Sequence, residues 1–241
     1  MCARRVAWLF AVLKEGAEKA MTVKLTHLHS DEDLAHALEH LAGSDSGMRD
    51  ALAQCGVPPL RRRAPGFAGL AAIVTGQQLS THAARSIWAR LEDALGVVSA
   101  QAVGASDDAE LAACGLSRPK IRTLRAIVEA VENGTLDFAR LEGAQDEGVH
   151  AELTAIKGIG PWTADIFLLF CLGRADAWPA GDLALMEAIR LLRGQDERPR
   201  GEDCIGFADC WRPYRGAAAH LLWAYYAVAK GRSGVPDAAA R

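Results

Sequence analysis

Lys157-Gly158-Ile159-Gly160-Pro161-Trp162-Thr163-Ala164-Asp165, followed by Trp178-Pro179-Ala180-Gly181-Asp182, is the stretch that decides how this chain folds. Two glycines one residue apart permit a tight turn and let backbone amides approach a ligand without side-chain hindrance. Pro161 suits the first position of a helix, where a missing N–H costs nothing. Upstream, Val149, Leu153 and Ile156 recur at helical spacing; downstream, residues 162–172 are apolar nearly all round and predict a buried helix. The unit reads as helix, hairpin, helix, with N–H groups at a helix N-terminus where an anion could bind. An ordinary tight turn between helices fits the same glycines, and spacing alone does not separate the two. Asp182 precedes Leu183, Leu185, Met186, Ile189 and Leu192, the position of an N-cap.

Working outward, the pattern stays helical. Leu34, Leu38 and Leu41 follow Ser30 or Asp31 as a cap. Residues 57–65 break helix and carry Arg61, Arg62 and Arg63 in succession, a solvated linker face or a phosphate contact. The apolar positions from Phe67 to Leu95 suit two helices divided near Gly76-Gln77-Gln78-Leu79-Ser80. Ile121, Leu124, Ile127, Val128 and Val131 mark another helix, stopped by Asn133-Gly134. No alternating run is long enough to build a sheet, so the fold is expected to be all-α.

The 241 residues carry a net charge of −3 and a pI of about 6.2. A nucleic-acid partner would therefore need a local basic surface rather than bulk charge. The longest apolar run, residues 166–172, is too short to cross a bilayer. Cysteines 2, 55, 114, 171, 204 and 210 show no CxxC spacing, and the histidines include no HExxH. Reduced, mostly structural cysteines in a cytoplasmic protein are expected, with neither an iron–sulfur cluster nor metal-dependent chemistry. Arg4-Arg5 followed by the apolar run at 6–13 admits three readings of residues 1–20: a misplaced start before Met21, a short amphipathic helix, or an export signal lacking its small-residue cleavage site.

Gly158-Ile159-Gly160-Pro161-Trp162-Thr163-Ala164 with Pro179-Ala180-Gly181-Asp182 resembles the helix-hairpin-helix, Gly/Pro-Asp superfamily of DNA repair glycosylases. Gly76-Gln77-Gln78-Leu79-Ser80, Gly115-Leu116-Ser117-Arg118-Pro119-Lys120 and Trp211-Arg212-Pro213-Tyr214-Arg215 with Leu222-Trp223 resemble its bacterial 3-methyladenine DNA glycosylase II branch. The likeness runs over roughly residues 30–230. It implies two helical subdomains with the active site in the cleft between them. One is discontinuous, 21–67 plus 182–235; the other is a central bundle, 68–181, holding the helix-hairpin-helix at about 146–172. The extra N-terminal α/β domain of larger relatives is not expected.

The implied activity is hydrolysis of the N-glycosidic bond of alkylated bases (3-methyladenine, 3-methylguanine, 7-methylguanine) in double-stranded DNA, by a monomer. A glycosylase for oxidised or mismatched bases and a non-catalytic helix-hairpin-helix DNA-binding protein are the alternatives. Bifunctional relatives carry a nucleophilic lysine just after the hairpin; here that position is Trp162, so monofunctional chemistry is expected. Asp182 is the implied catalytic carboxylate as well as an N-cap, stabilising an oxocarbenium-like sugar. Trp162 and Trp223 match pocket aromatics, with core packing as the other reading. Gln77 or Gln78 is expected to fill the gap left by the flipped base, or else to cap a helix; relatives have leucine at the position of Gln78. Gly158, Gly160 and Thr163 are expected to hold a phosphate. The carbonyls of Thr154, Ile156 and Ile159 match a structural Na+ or K+ site. Phe207, Trp211, Tyr214 and Tyr225 are expected to be structural.

Overall fold

The computed structural model describes residues 25–231, so the readings made for residues 1–20, for Met21 and for Cys2 lie outside it. Among the described residues there is no strand, only an isolated bridge between His27 and Arg174. The chain is all-α. Its first helix, α1 (Asp31–Ser44), starts at Ser30, which decides between the two caps expected there. The Ser30 hydroxyl accepts from the Asp33 amide at 3.2 Å, and the Asp33 carboxylate accepts from the Ser30 amide at 3.0 Å, a reciprocal capping box. Asp45 then caps α2 (Ser46–Cys55).

After the arginine-bearing linker come α3 (Phe67–Gly76) and α4 (Thr81–Leu95). The short α5 (Ala100–Ala105) and α6 (Asp108–Ala113) lean on α7 (Arg118–Glu132). Next are α8 (Phe138–Gly143), α9 (Asp146–Thr154) and α10 (Pro161–Phe167). Beyond residue 181 lie α11 (Leu183–Arg193), α12 (Gly201–Asp209) and α13 (Arg215–Ala229). Helix α3 is apolar on every side because it packs against α4, α7 and α10 together. A second group forms where α13 packs on α1, α2 and α11. One continuous apolar core runs through both groups.

The expected single helix over 162–172 departs from the structure in its second half. The α-helical part ends at Phe167, and Leu168–Leu172 form a π turn closed by Gly173 at φ 73°. Its cause is packing at the end of the turn. Gly173 has Arg62 and the Leu28 carbonyl so near that a Cβ would lie 1.7 Å and 2.9 Å from them, and its own carbonyl accepts from the Leu28 amide at 2.7 Å. The wide turn absorbs an extra residue before that fixed point, as π bulges do.

Helix α11 is tied along its length. Glu187 is buried among Arg190, Arg198 and Lys230, and the Arg190 hydrogen bonds hold its carboxyl down at about 2. At the far end Arg193 pairs with Asp45, which also accepts from the Trp211 indole N–H at 2.9 Å. Burial would push the Asp45 carboxyl up, but Arg193 and Trp211 outweigh it and hold it below its ordinary value.

Candidate active site

Asp182 ends the 178–182 loop and caps α11. Its Oδ1 accepts from the amides of Ala184 at 2.9 Å and Leu185 at 3.0 Å, and from the Trp223 indole N–H at 3.2 Å. Its Oδ2 accepts from the Trp162 indole N–H at 3.0 Å. All four partners are donors. Oδ1 is saturated, whereas Oδ2 keeps a lone pair for a ligand. The carboxylate is half-buried at the meeting of α10, α11 and α13, which supply Trp162, the cap and Trp223. The two tryptophans thus orient the carboxylate through their N–H groups, in addition to whatever their rings contact.

The rings differ. Trp162 is partly exposed, whereas Trp223 is buried, with Phe170 at 5.6 Å and His220 at 6.0 Å between ring centroids. The Arg61 guanidinium lies over the Trp223 ring, 5.2 Å from its centroid. The Arg61 amide donates to His220 Nε2 at 3.3 Å, and His220 Nδ1 donates to the Gly216 carbonyl at 2.8 Å. Full burial pulls the His220 pKa down to about 4, so the ring is neutral and this tautomer is the one both bonds require. Burial also draws Arg61 down to about 10, opposed by the negative charge of Asp182.

The arginine run divides, with Arg63 exposed and its two neighbours partly buried. Arg62 turns inward to the carbonyls of Leu28 at 3.3 Å and Cys171 at 3.4 Å, and Arg61 joins the site. Sequence reading did not assign Arg61, Phe170 or His220 to the site. Three consecutive arginines in a linker gave no sign of which one points inward.

At the hairpin, Gly158 has φ 93°, and a Cβ there would lie 2.0 Å from the Thr123 hydroxyl of α7. Backbone conformation and the touching helix both demand glycine. Gly160 has nothing within 4 Å of a Cβ, so its approach side is open. Among the described residues no acceptor takes the Gly158 or Gly160 amide, nor does any amide reach the carbonyls of Thr154 and Ile159. The Ile156 carbonyl accepts the Ile159 amide at 3.0 Å and retains one lone pair. Three carbonyls of this kind suit a hard monovalent cation, which takes oxygen donors.

Thr163 departs from the expected phosphate contact. Its side chain is buried, and the hydroxyl accepts from Gln77 Nε2 at 2.8 Å, a brace between α10 and the loop after α3. From the other side Lys120 Nζ donates to the Thr75 carbonyl at 2.7 Å. With Gln77 held, the adjacent Gln78 is exposed on left-handed backbone at φ 57°, beside the exposed Leu79. Of the two glutamines, Gln78 is the one free to project. Trp211 and Tyr214 are buried and Phe207 and Tyr225 pack on the core.

The HhH-GPD superfamily of base excision DNA repair proteins matches residues 71–207, which take in the hairpin and the capping aspartate. The chain belongs to this superfamily. Among similar proteins, the alkylbase DNA glycosidase-like protein mag2 of Schizosaccharomyces pombe is 28% identical over 204 residues, 81% of this chain and 95% of the relative. DNA-3-methyladenine glycosylase 1 of the same yeast is 32% identical over 62% of this chain and 68% of its own length. A DNA-3-methyladenine glycosidase structure from Bacillus halodurans superposes with TM-score 0.69 at 33% identity, covering 83% of this chain and 93% of that one. The S. pombe 3-methyladenine DNA glycosylase Mag1, solved with abasic DNA, gives TM-score 0.72 at 28% identity over 81% and 97%.

Proposed function

We propose that this chain is a monofunctional DNA glycosylase that hydrolyses the N-glycosidic bond of alkylated bases, 3-methyladenine, 3-methylguanine and 7-methylguanine, in double-stranded DNA, acting as a monomer. The observation that carries the reading is the Asp182 carboxylate, gripped by four donors yet open at Oδ2, between two indoles and next to a hairpin with free amides. A pure DNA-binding module gains nothing from a carboxylate there.

Alkylation at these ring nitrogens gives the base a positive charge, so it departs without a strong general acid. What the reaction lacks is negative charge beside the electron-poor sugar. Asp182 Oδ2 supplies it, fixed in advance so that no reorganisation is needed as the bond breaks. The same lone pair can orient the water that takes the sugar carbon. The target base reaches this carboxylate only by leaving the stack, and Gln78 fills the gap it leaves. The Gly158 and Gly160 amides receive one backbone phosphate, which sets the register of the duplex. The carbonyls of Thr154, Ile156 and Ile159 would hold a monovalent cation, whose contribution is positive charge beside that phosphate.

The Trp162 indole N–H is committed to Asp182 and offers no amine. Strand cleavage through a Schiff base therefore has no nucleophile at this position. Incubation with methylated duplex DNA, followed by chromatography of the released bases, tests the reading. The expected products are free methylpurines and abasic sites that break only after alkali, with no adduct trapped by borohydride. Release of oxidised or mismatched bases instead, or of no base at all, would overturn it.

A further inference from the structure

Gln77 and Gln78 are neighbours held in opposite ways. Gln77 caps the end of α3, its amide donating to the Val74 carbonyl at 3.3 Å. Its side chain then crosses to α10, where Nε2 donates to the Thr163 hydroxyl at 2.8 Å. Thr163 is 2% exposed, so this acceptor sits in packed surroundings that hold it in place. One position earlier on α10, the Trp162 indole N–H donates to Asp182 Oδ2. On the opposite flank, Lys120 of α7 donates to the carbonyl of the buried Thr75 at 2.7 Å. The chain entering Gln78 is thus pinned by two helices, and Gln78 leaves it exposed at φ 57°. A glutamine on left-handed backbone is held there by its surroundings, since its own preference is against it.

We propose that Gln77 is a positioning residue for the wedge: its bond to Thr163 sets the reach of Gln78 relative to the Asp182 carboxylate. Filling the stack and delivering the sugar to Oδ2 then occur in one register. This rests on the glycosylase reading above, with Gln78 as its wedge. A wedge works only if its tip meets the vacated space while the sugar stands at the carboxylate, so both must be referred to one rigid body. Helix α10 is that body, because its consecutive residues Trp162 and Thr163 carry one tie each. A wedge on a free loop would lose conformational freedom on insertion, whereas the braced one has lost it during folding. Breaking the brace should slow base flipping and leave bond cleavage alone, because Asp182 keeps its four donors.

The test measures single-turnover release of 7-methylguanine from two duplexes. In one the base is paired with cytosine; in the other it stands opposite a tetrahydrofuran abasic site, where flipping breaks no base pair. Thr163→Val removes the acceptor at nearly constant shape. It should slow release from the paired duplex by about tenfold and from the unpaired one by less than about twofold. Thr163→Ser keeps the hydroxyl and should stay close to wild type on both. Gln77→Met breaks the same bond from its partly exposed side, and the double variant should be no slower than either single one. Equal slowing on both duplexes, or losses that add in the double variant, would overturn the proposal. A binding arm needs no catalysis: the fluorescence of 2-aminopurine beside a tetrahydrofuran site reports opening of the stack. Wild type should raise that signal, and Thr163→Val should raise it less, as Gln78→Gly does; a wild-type signal from Thr163→Val refutes the brace. If wild type releases base from neither duplex, the glycosylase reading fails and the fluorescence arm still decides this one. Should Thr163→Val not fold, Gln77→Met carries both comparisons.

Discussion

Asp182→Asn keeps the size of the side chain and removes its charge, and the four hydrogen bonds allow its outcome to be worked out. The amide oxygen will take the Oδ1 position, because three donors converge there: Ala184 N, Leu185 N and Trp223 Nε1. The NH2 group is then forced to the Oδ2 position, where it meets the Trp162 N–H, donor against donor, at what was a 3.0 Å bond. The helix cap survives nearly intact, since Asn caps about as well as Asp. The clash leaves an unsatisfied, partly buried N–H, a cost of about 1–3 kcal/mol. Excision should fall by about 10²–10³, on the scale of a lost electrostatic stabiliser worth roughly 2.7–4 kcal/mol. Trp162→Phe in the same background removes the clashing N–H, so the double variant should regain about 1 kcal/mol of stability relative to additivity while excision stays low. Single-turnover base release and thermal melts on the two single variants and the double close the cycle. Near-wild-type excision by a folded Asp182→Asn would leave Asp182 as a helix cap alone. A double variant no more stable than the sum of its parts would refute the donor-clash argument.

Gly160→Ala should fold normally, since a Cβ there meets nothing within 4 Å, yet lose about tenfold or more in DNA affinity because the methyl stands over the hairpin amides; unchanged affinity in a binding titration would remove the hairpin from the interface. Gln78→Gly should raise stability by up to about 1 kcal/mol by relieving left-handed backbone while slowing excision, whereas an unchanged single-turnover rate would exclude Gln78 as the wedge. Stability should also respond to pH through two groups of opposite sign, the partly buried Asp165 and the fully buried His220. Asp165 is pushed up from 3.8 to about 7 by burial, so the stability it provides when protonated is lost as pH rises through that range. His220 is pushed down from 6.5 to about 4, so its contribution is lost as pH falls through that range. The two slopes nearly cancel between about pH 4 and 6.5. Asp165→Asn should expose the histidine slope, costing about 2–3 kcal/mol over that interval on acidification; urea melts at several pH values that show no new slope would contradict it.

Helix positions were legible where a local rule decides them. Leu34, Leu38 and Leu41 with a serine cap, and the glycine pair before Pro161, are short-range signals, and the structure follows them. The short α5, α6 and α8 were not legible, because a helix of this length has too few turns to show a period. At the site, Asp182 could be read because capping is local. Other roles depend on partners far away in the chain. Gly158 is demanded as much by Thr123 on α7 as by its own turn, and Thr163 turns inward because Gln77 waits 86 positions earlier. Arg61 joins the site through a histidine 159 positions away, a distance no motif spans.

The pairing of Arg193 with Asp45 makes α11 a lever whose tip is Asp182. An 11-residue helix is about 16 Å long, so a pivot of about 5° at the anchored end displaces the tip by roughly 1.4 Å, enough to cost about two orders of magnitude in a positioned reaction. Asp45 and Arg193 stand 148 positions apart, and a substitution in either is an indirect route to silencing the carboxylate without touching it. In sequence drift the pair should behave as a single character, with each side tolerated only when the other compensates. Inherited loss of repair can thus originate at the hilt while the blade keeps its residue.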